Sequence, residues 1–129
     1  MNSGIKLWKE AIKIIPGGNS ILSKRPERYL PDLWPTYFKK AKGIHIWDLD
    51  GNKYMDMAQM GIGSSILGYS NAEVNKAVSI AIKEGISTTL NSKDEFILAK
   101  KLLKLNKGFS SVKFARSGGE AMSIAVRIA

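Results

Sequence analysis

A chain of 129 residues that is 44% hydrophobic and 24% charged is long enough for one ordinary domain and has the balance of a globular protein rather than a disordered one. It has no cysteine, which excludes a disulfide scaffold and a cysteine-based metal site and fits a reducing compartment. No stretch approaches the ~20 apolar residues of a membrane span, and no apolar run follows Met1-Asn2-Ser3-Gly4, so a cytoplasmic location without a membrane partner is expected. The net charge of +9 admits an anionic partner. The lysines, however, are scattered, the densest run being Lys39-Lys40-Ala41-Lys42, and arginine occurs only at 25, 28, 116 and 127.

Trp8, Ala11, Ile12 and Ile15 recur at i, i+3, i+4 and i+7, which predicts one apolar face of a helix. Pro16-Gly17-Gly18 should stop that helix. Residues 17–42 contain Pro26, Pro31 and Pro35 and read as irregular, and a segment of that length is often functional. Alternation from Gly43 to Leu49, an Asp50-Gly51 turn and a return over Lys53–Met57 predict a hairpin. Loops follow at 60–65 and 68–71. Asn71 is placed to cap a helix with Val74, Ala77, Val78, Ala81 and Ile82 on one face, ended by Gly85. Ser92, with Glu95 as a capping box, should open another, with Phe96, Ala99, Leu102 and Leu103 inward and Asn106-Lys107-Gly108 as its stop. Val112 and Phe114 alternate in a short predicted strand, 111–115. A last helix should then carry Ala121, Ile124, Ala125 and Ile128 on one face. That apolar stripe is still running at Ala129, which reads as an end in mid-helix.

The strongest local chemistry lies at Arg116-Ser117-Gly118-Gly119-Glu120. Two glycines let backbone approach a ligand closely. The first turn of the following helix offers free N–H groups at the positive end of its dipole, a ready site for phosphate, and Ser117 adds a hydroxyl. The same residues also spell Ser-x-x-Glu, a capping box that needs no ligand. The segment is neither a Walker motif nor GxGxxG.

The segment Val112–Ala121, followed by Ala125-Val126-Arg127-Ile128-Ala129, resembles the cofactor-phosphate region of class III aminotransferases, where Ser-Gly-Thr-Glu-Ala is usual. The resemblance covers nearly the whole chain. Ile15–Ser20 looks like that family's Pro-Gly-Gly loop, Gly43–Asp56 like its hairpin, and Ile66-Leu67-Gly68-Tyr69 with Asn71 like the loop that follows. The resemblance is to the glutamate-1-semialdehyde 2,1-aminomutase-like group. It implies an α/β fold of fold-type I: residues 1–70 as an N-terminal helix, irregular loop and hairpin, and residues 71–129 as the start of a large domain that binds pyridoxal 5′-phosphate. It also implies amino-group transfer to or from a small amino or keto compound, and a homodimer.

By the resemblance, Ser117, Gly118 and Gly119 hold the cofactor phosphate, with Gly119 in place of the usual Thr and Arg116 where Asn is common. Ser20, Ser23 and Ile62 fall at substrate-pocket positions. Ser23 stands where the aminomutases carry a carboxylate-binding Arg, with Lys24 and Arg25 next, and a one-residue gap could restore a basic group there. Ile62 lies near an aromatic position of those enzymes. These departures argue against assigning glutamate-1-semialdehyde alone as substrate, and another amino acid or an amino or keto sugar fits as well. The Lys that bonds the cofactor lies far downstream of the phosphate turn in the family, so no residue here is nominated as catalytic and the segment alone is not expected to transaminate.

Other signals read as structural. Asp48, Asp50 and Asn52 begin like a calcium loop, but Gly51 comes too early and Gln59 stands where a bidentate Glu belongs, so a hairpin turn is expected and no metal. His45 is the sole histidine and cannot form a usual zinc site alone. Trp8, Trp34 and Trp47 suggest burial more than base stacking. Met55, Met57 and Met60 suggest gap filling. A small basic nucleic-acid-binding module is the alternative from another class, favoured if basic residues cluster on one face.

Overall fold

The computed structural model describes residues 2–61 and 63–129, so Ile62 lies outside the described residues. In chain order it forms helix α1 (Ser3–Ile14), two 3-10 turns (Leu22–Lys24 and Pro26–Arg28), strands β1 (Phe38–Lys42), β2 (His45–Asp48) and β3 (Lys53–Met55), and helices α2 (Ala72–Glu84), α3 (Lys93–Leu105) and α4 (Gly118–Ile128). The chain divides into two compact units between Glu84 and Gly85. Helix α2, which the sequence-based boundary at 70/71 groups with the second domain, is counted with the first unit.

Helix α1 begins at a side-chain cap: Asn2 Oδ1 accepts the Ile5 N–H at 2.8 Å. Its buried stripe is Gly4, Ile5, Trp8 and Ala11. The predicted face therefore shifts one turn toward the N-terminus, and Ile12 and Ile15 are 48% and 43% exposed. Ile15 has already left the helix as its C-cap, at φ −116°, so its side chain no longer follows the stripe. Gly4 lies close to the backbone of Thr36 and Tyr37, where an added Cβ would sit 3.4 Å and 3.5 Å from their nitrogens. The Pro-Gly-Gly stop folds back over Trp8. The Gly18 N–H donates to Ile15 O at 2.8 Å, and a Cβ on Gly18 would sit 2.2 Å from the Trp8 ring. The buried indole still needs an acceptor for its N–H, and Trp8 Nε1 donates to Glu27 Oε1 at 2.7 Å. Pro26, next to Glu27, is fully buried.

Residues 38–42 correct the expectation of an irregular stretch to 42. Phe38-Lys39-Lys40-Ala41-Lys42 has no apolar alternation to betray a strand, yet it pairs antiparallel with β2 through Lys40↔Trp47, Ala41↔Ile46 and Lys42↔His45, with an irregularity between Phe38 and Lys40. Lysines on such an edge strand discourage pairing with other chains. Gly43, at φ +57°, takes the first position of the two-residue β1–β2 turn, where a type II′ turn favours glycine.

Strands β2 and β3 pair through His45↔Met55, Ile46↔Tyr54 and Trp47↔Lys53. Their connection is not the expected two-residue turn. The Asp48 N–H donates to Asn52 O at 3.0 Å and the Gly51 N–H to Asp48 O at 3.2 Å, leaving Leu49-Asp50-Gly51 between. Gly51 at φ +87° supplies the left-handed residue that a three-residue hairpin loop requires.

Asn71 caps α2 as predicted, its Oδ1 accepting the Glu73 and Val74 N–H groups at 3.0 and 3.1 Å. Gly85 ends the helix at φ +104°. The predicted apolar stripe is real in sequence but stays open, with Val74, Val78 and Ile82 about half exposed.

In the second unit Ser92 caps α3 by accepting the Asp94 N–H at 3.2 Å, rather than forming the predicted box with Glu95. The predicted strand 111–115 forms no strand and joins no sheet. Its alternation is as expected, with Val112 and Phe114 half-buried and their neighbours exposed. A strand also needs a hydrogen-bonded neighbour, and no segment pairs with it among the described residues. Ala99, Leu102, Leu103 and Ile124 are the other half-buried apolar side chains of this unit.

Candidate functional site

Ser117, Gly118 and Gly119 stand together at the start of α4. Ser117 is the N-cap in extended conformation (φ −143°, ψ 161°), and its Oγ accepts the Glu120 N–H at 3.3 Å. Glu120 reaches back so that Oε2 accepts the Arg116 N–H at 2.7 Å. The capping box thus forms, displaced by one residue on its return bond. It occupies the amides of Arg116 and Glu120. Among the described residues, the Gly118 and Gly119 N–H groups have no acceptor, which leaves two donors at the positive end of the helix.

Neither glycine is there to permit a left-handed backbone, since both lie outside the positive-φ set. A Cβ on Gly118 would meet nothing within 4 Å, and one on Gly119 only Ser117 Oγ at 4.0 Å. What the glycines provide is an uncovered approach to the two amides. Gly119 contributes an N–H and no hydroxyl. The turn opens on a cavity of about 1080 Å³ whose wall includes Phe114, Leu98 and Ile124, with Arg116, Glu95 and Glu120 as its charged members. The donors, the hydroxyl and the open approach fit a phosphate group, and the apolar wall fits an attached ring.

The other expected pocket residues lie in the first unit. Ser20 and Ser23 are exposed, and Ser23 offers its carbonyl to the Tyr29 hydroxyl at 2.7 Å. Arg25 packs against Gly17, where an added Cβ would meet Nη2 at 2.0 Å, and its Nε is buried without a partner among the described residues. Sequence reasoning placed Arg25 only as a basic neighbour of Ser23, because nothing local marks its Nε as buried.

The acidic hairpin residues are structural. Asp48 is 4% exposed. Its carboxylate accepts from the Asp50 N–H at 3.0 Å, the Asn52 N–H at 2.8 Å, Asn52 Nδ2 at 2.9 Å and the Tyr54 hydroxyl at 3.0 Å. The Asn52 side chain is foremost in holding the Asp48 carboxyl below its ordinary value. Asp50 accepts the Ser3 N–H at 2.9 Å and the Ser3 hydroxyl, tying α1 to the hairpin, and the hydroxyl is foremost in lowering its titration. These oxygens are committed to protein donors, and no cluster of three metal-binding side chains occurs among the described residues. His45 is half-buried in β2, the plain strand position expected. Lys40 and Lys53 hold their ammonium groups 4.7 and 5.5 Å from the Trp47 ring centroid. Among the described residues no helix is long and apolar enough to cross a membrane.

Comparison with known proteins gives concordant findings. The profile of the family described as Aminotransferase class-III matches residues 31–129. The glutamate-1-semialdehyde 2,1-aminomutase of Francisella philomiragia is 37% identical over 124 residues, covering 95% of this chain and 28% of the relative. An omega-transaminase from Sphaerobacter thermophilus superposes with a TM-score of 0.83 at 25% identity, over 98% of this chain and 27% of that one. The FumI protein of Sphingopyxis sp. MTA144, solved in its PLP internal aldimine form, gives 0.82 at 29% identity, over 95% of this chain and 29% of that one. The chain therefore spans 28% of the length of the aminomutase it matches.

Proposed function

The chain belongs to the class-III aminotransferase family, and from that premise we propose that Ser117, Gly118 and Gly119 hold the phosphate of pyridoxal 5′-phosphate in an enzyme that moves an amino group to or from a small amino or keto compound. The architecture is an α/β segment of the fold of pyridoxal-phosphate-dependent transaminases. The observation that carries the proposal is the pair of open amides at Gly118 and Gly119 beside the Ser117 hydroxyl. Bound pyridoxal phosphate supplies the electron sink for amino-group transfer. The chain's own part is to fix the phosphate with two N–H donors and one hydroxyl, while Phe114, Leu98 and Ile124 offer an apolar wall to the attached ring. None of the lysines here is assigned as the cofactor's covalent partner, so this segment is proposed to bind and orient rather than to transaminate alone.

The reacting compound is proposed to be glutamate-1-semialdehyde-like or an amino or keto sugar, with Ser20, Ser23 and Ile62 in its pocket. Arg25 is the cation we assign to a carboxylate on it, because its Nε lacks a protein partner and a guanidinium fork suits a carboxylate. The assembled enzyme is proposed to be a cytoplasmic homodimer. Family membership weighs against the alternative of a small basic nucleic-acid-binding module.

Equilibrium dialysis tests the phosphate assignment. Pyridoxal 5′-phosphate is expected to bind at least about tenfold more tightly than pyridoxal, because charge-assisted hydrogen bonds are each worth about 1.5–3 kcal/mol. Ser117→Ala should weaken the phosphate form alone. Equal affinities for the two compounds would contradict the proposal.

A further inference from the structure

We infer that Asp56 and Tyr69 form a latch that ties the two ends of the intervening loop to the hairpin and sets the conformation of its described residues, 57–61 and 63–68, from its base. One carboxylate serves both ends of the loop. Asp56 Oδ1 accepts the Ala58 N–H at the entry, at 2.8 Å. Asp56 Oδ2 accepts the Tyr69 hydroxyl at the exit, at 2.5 Å. Asp56 is itself fixed, since its N–H donates to Ile44 O at 2.8 Å. At the exit the backbone is clamped as well: Gly43 and Tyr69 exchange two N–H···O bonds, each 2.8 Å. The approach of the two segments is close at Gly68. Gly68 lies at φ +86°, and a Cβ there would be 3.3 Å from Gly43 Cα.

Inside the latch the loop satisfies part of its own backbone. The Gly63 N–H donates to Gln59 O at 2.6 Å, the Ser65 N–H to Met60 O at 3.2 Å and the Gly68 N–H to Ser65 O at 2.8 Å. Its outer apolar side chains are solvent-facing, with Met57 85%, Ile66 83% and Leu67 69% exposed. Contacts of those side chains therefore do not hold the loop, and the polar base does. The Tyr69 hydroxyl is pushed up to about 12, by burial first and then by Asp56, as expected of a donor committed to a carboxylate. The latch does not depend on the phosphate assignment, which concerns the other unit.

Amide hydrogen exchange of the full chain and three variants tests it. Tyr69→Phe removes the hydroxyl and leaves both backbone bonds. The Gly63, Ser65 and Gly68 amides should then exchange about tenfold faster, the effect of one charge-assisted hydrogen bond, while the amides of the β1–β2 ladder keep their rates. Asp56→Asn keeps one oxygen for the Ala58 N–H and turns an N–H toward the Tyr69 hydroxyl oxygen, so both ends stay tied by neutral bonds and the loop rates should rise less than in Asp56→Ala. Asp56→Ala should match or exceed Tyr69→Phe. Unchanged loop rates in Tyr69→Phe, ladder amides accelerating in step with the loop, or Asp56→Asn behaving like Asp56→Ala would each overturn the latch. If Asp56→Ala does not fold, the contrast between Tyr69→Phe and Asp56→Asn decides.

Discussion

Gly18→Ala is expected to destabilise the N-terminal unit by about 2–5 kcal/mol, whereas Gly17→Ala costs only about 1–2 kcal/mol. Both glycines are left-handed, at φ +73° and +76°, so each alanine carries the same backbone strain of about 1–2 kcal/mol. The difference lies in what the new methyl meets. At Gly17 it meets the Arg25 guanidinium, the far end of a flexible side chain, which can swing aside. At Gly18 it meets the Trp8 ring at 2.2 Å, and that ring is 5% exposed and held by its bond to Glu27. The ring is buried and tethered, so overpacking adds about 1–3 kcal/mol. Denaturant unfolding followed by tryptophan fluorescence gives both values. All three tryptophans lie in this unit. Equal losses for the two variants would show that Trp8 is not the constraint.

The second large effect is loss of the same unit in acid. Asp48 and Asp50 both titrate below the ordinary value of 3.8, owing first to the Asn52 side chain and to the Ser3 hydroxyl respectively. Their folded values are depressed, so their contribution is fully present above the unfolded value and is lost as pH falls through the folded one. The window therefore lies below about pH 4. Asp48→Ala should destabilise strongly at neutral pH as well, because the Asp50 and Asn52 N–H groups, the Asn52 amide and the Tyr54 hydroxyl all lose their acceptor. Asp48→Asn, which keeps an acceptor but no charge, should flatten the acid limb of the stability curve. An acid limb unchanged in Asp48→Asn would assign the titration elsewhere.

At the alkaline end the sign reverses. Tyr69, raised from 10.0 to about 12, contributes stability that is complete below pH 10 and is lost as pH rises through 12. Tyr54 is raised too, by burial and then by Asp48. A tyrosinate absorbance titration should show a late step near pH 12 that Tyr69→Phe removes.

What could be read from the sequence was local. Asn71, Ser92 and Ser117 announced three helix starts because a cap is decided by a side chain and the next two or three amides. Gly51 announced a turn, though its three-residue form depended on which residues of β2 and β3 face each other. β1 was silent because its lysines alternate with nothing apolar, and 111–115 looked like a strand because alternation reports facing and not pairing. The staples between Ser3 and Asp50 and between Asp56 and Tyr69 join residues 47 and 13 apart, and no local pattern encodes them. The turn proposed to hold the phosphate was legible as Ser-Gly-Gly-Glu. That Glu120 would take the Arg116 amide and leave those of the two glycines open was a matter of geometry.

The central claim is that those open amides bind the cofactor's phosphate. Amide chemical-shift mapping of the chain during titration with pyridoxal 5′-phosphate, and separately with pyridoxal, tests it directly. The largest shifts should fall on Gly118, Gly119 and Ser117, should appear only with the phosphate form and should need a higher ligand concentration in Ser117→Ala. Shifts of equal size with both compounds, or shifts centred away from the start of α4, would contradict it.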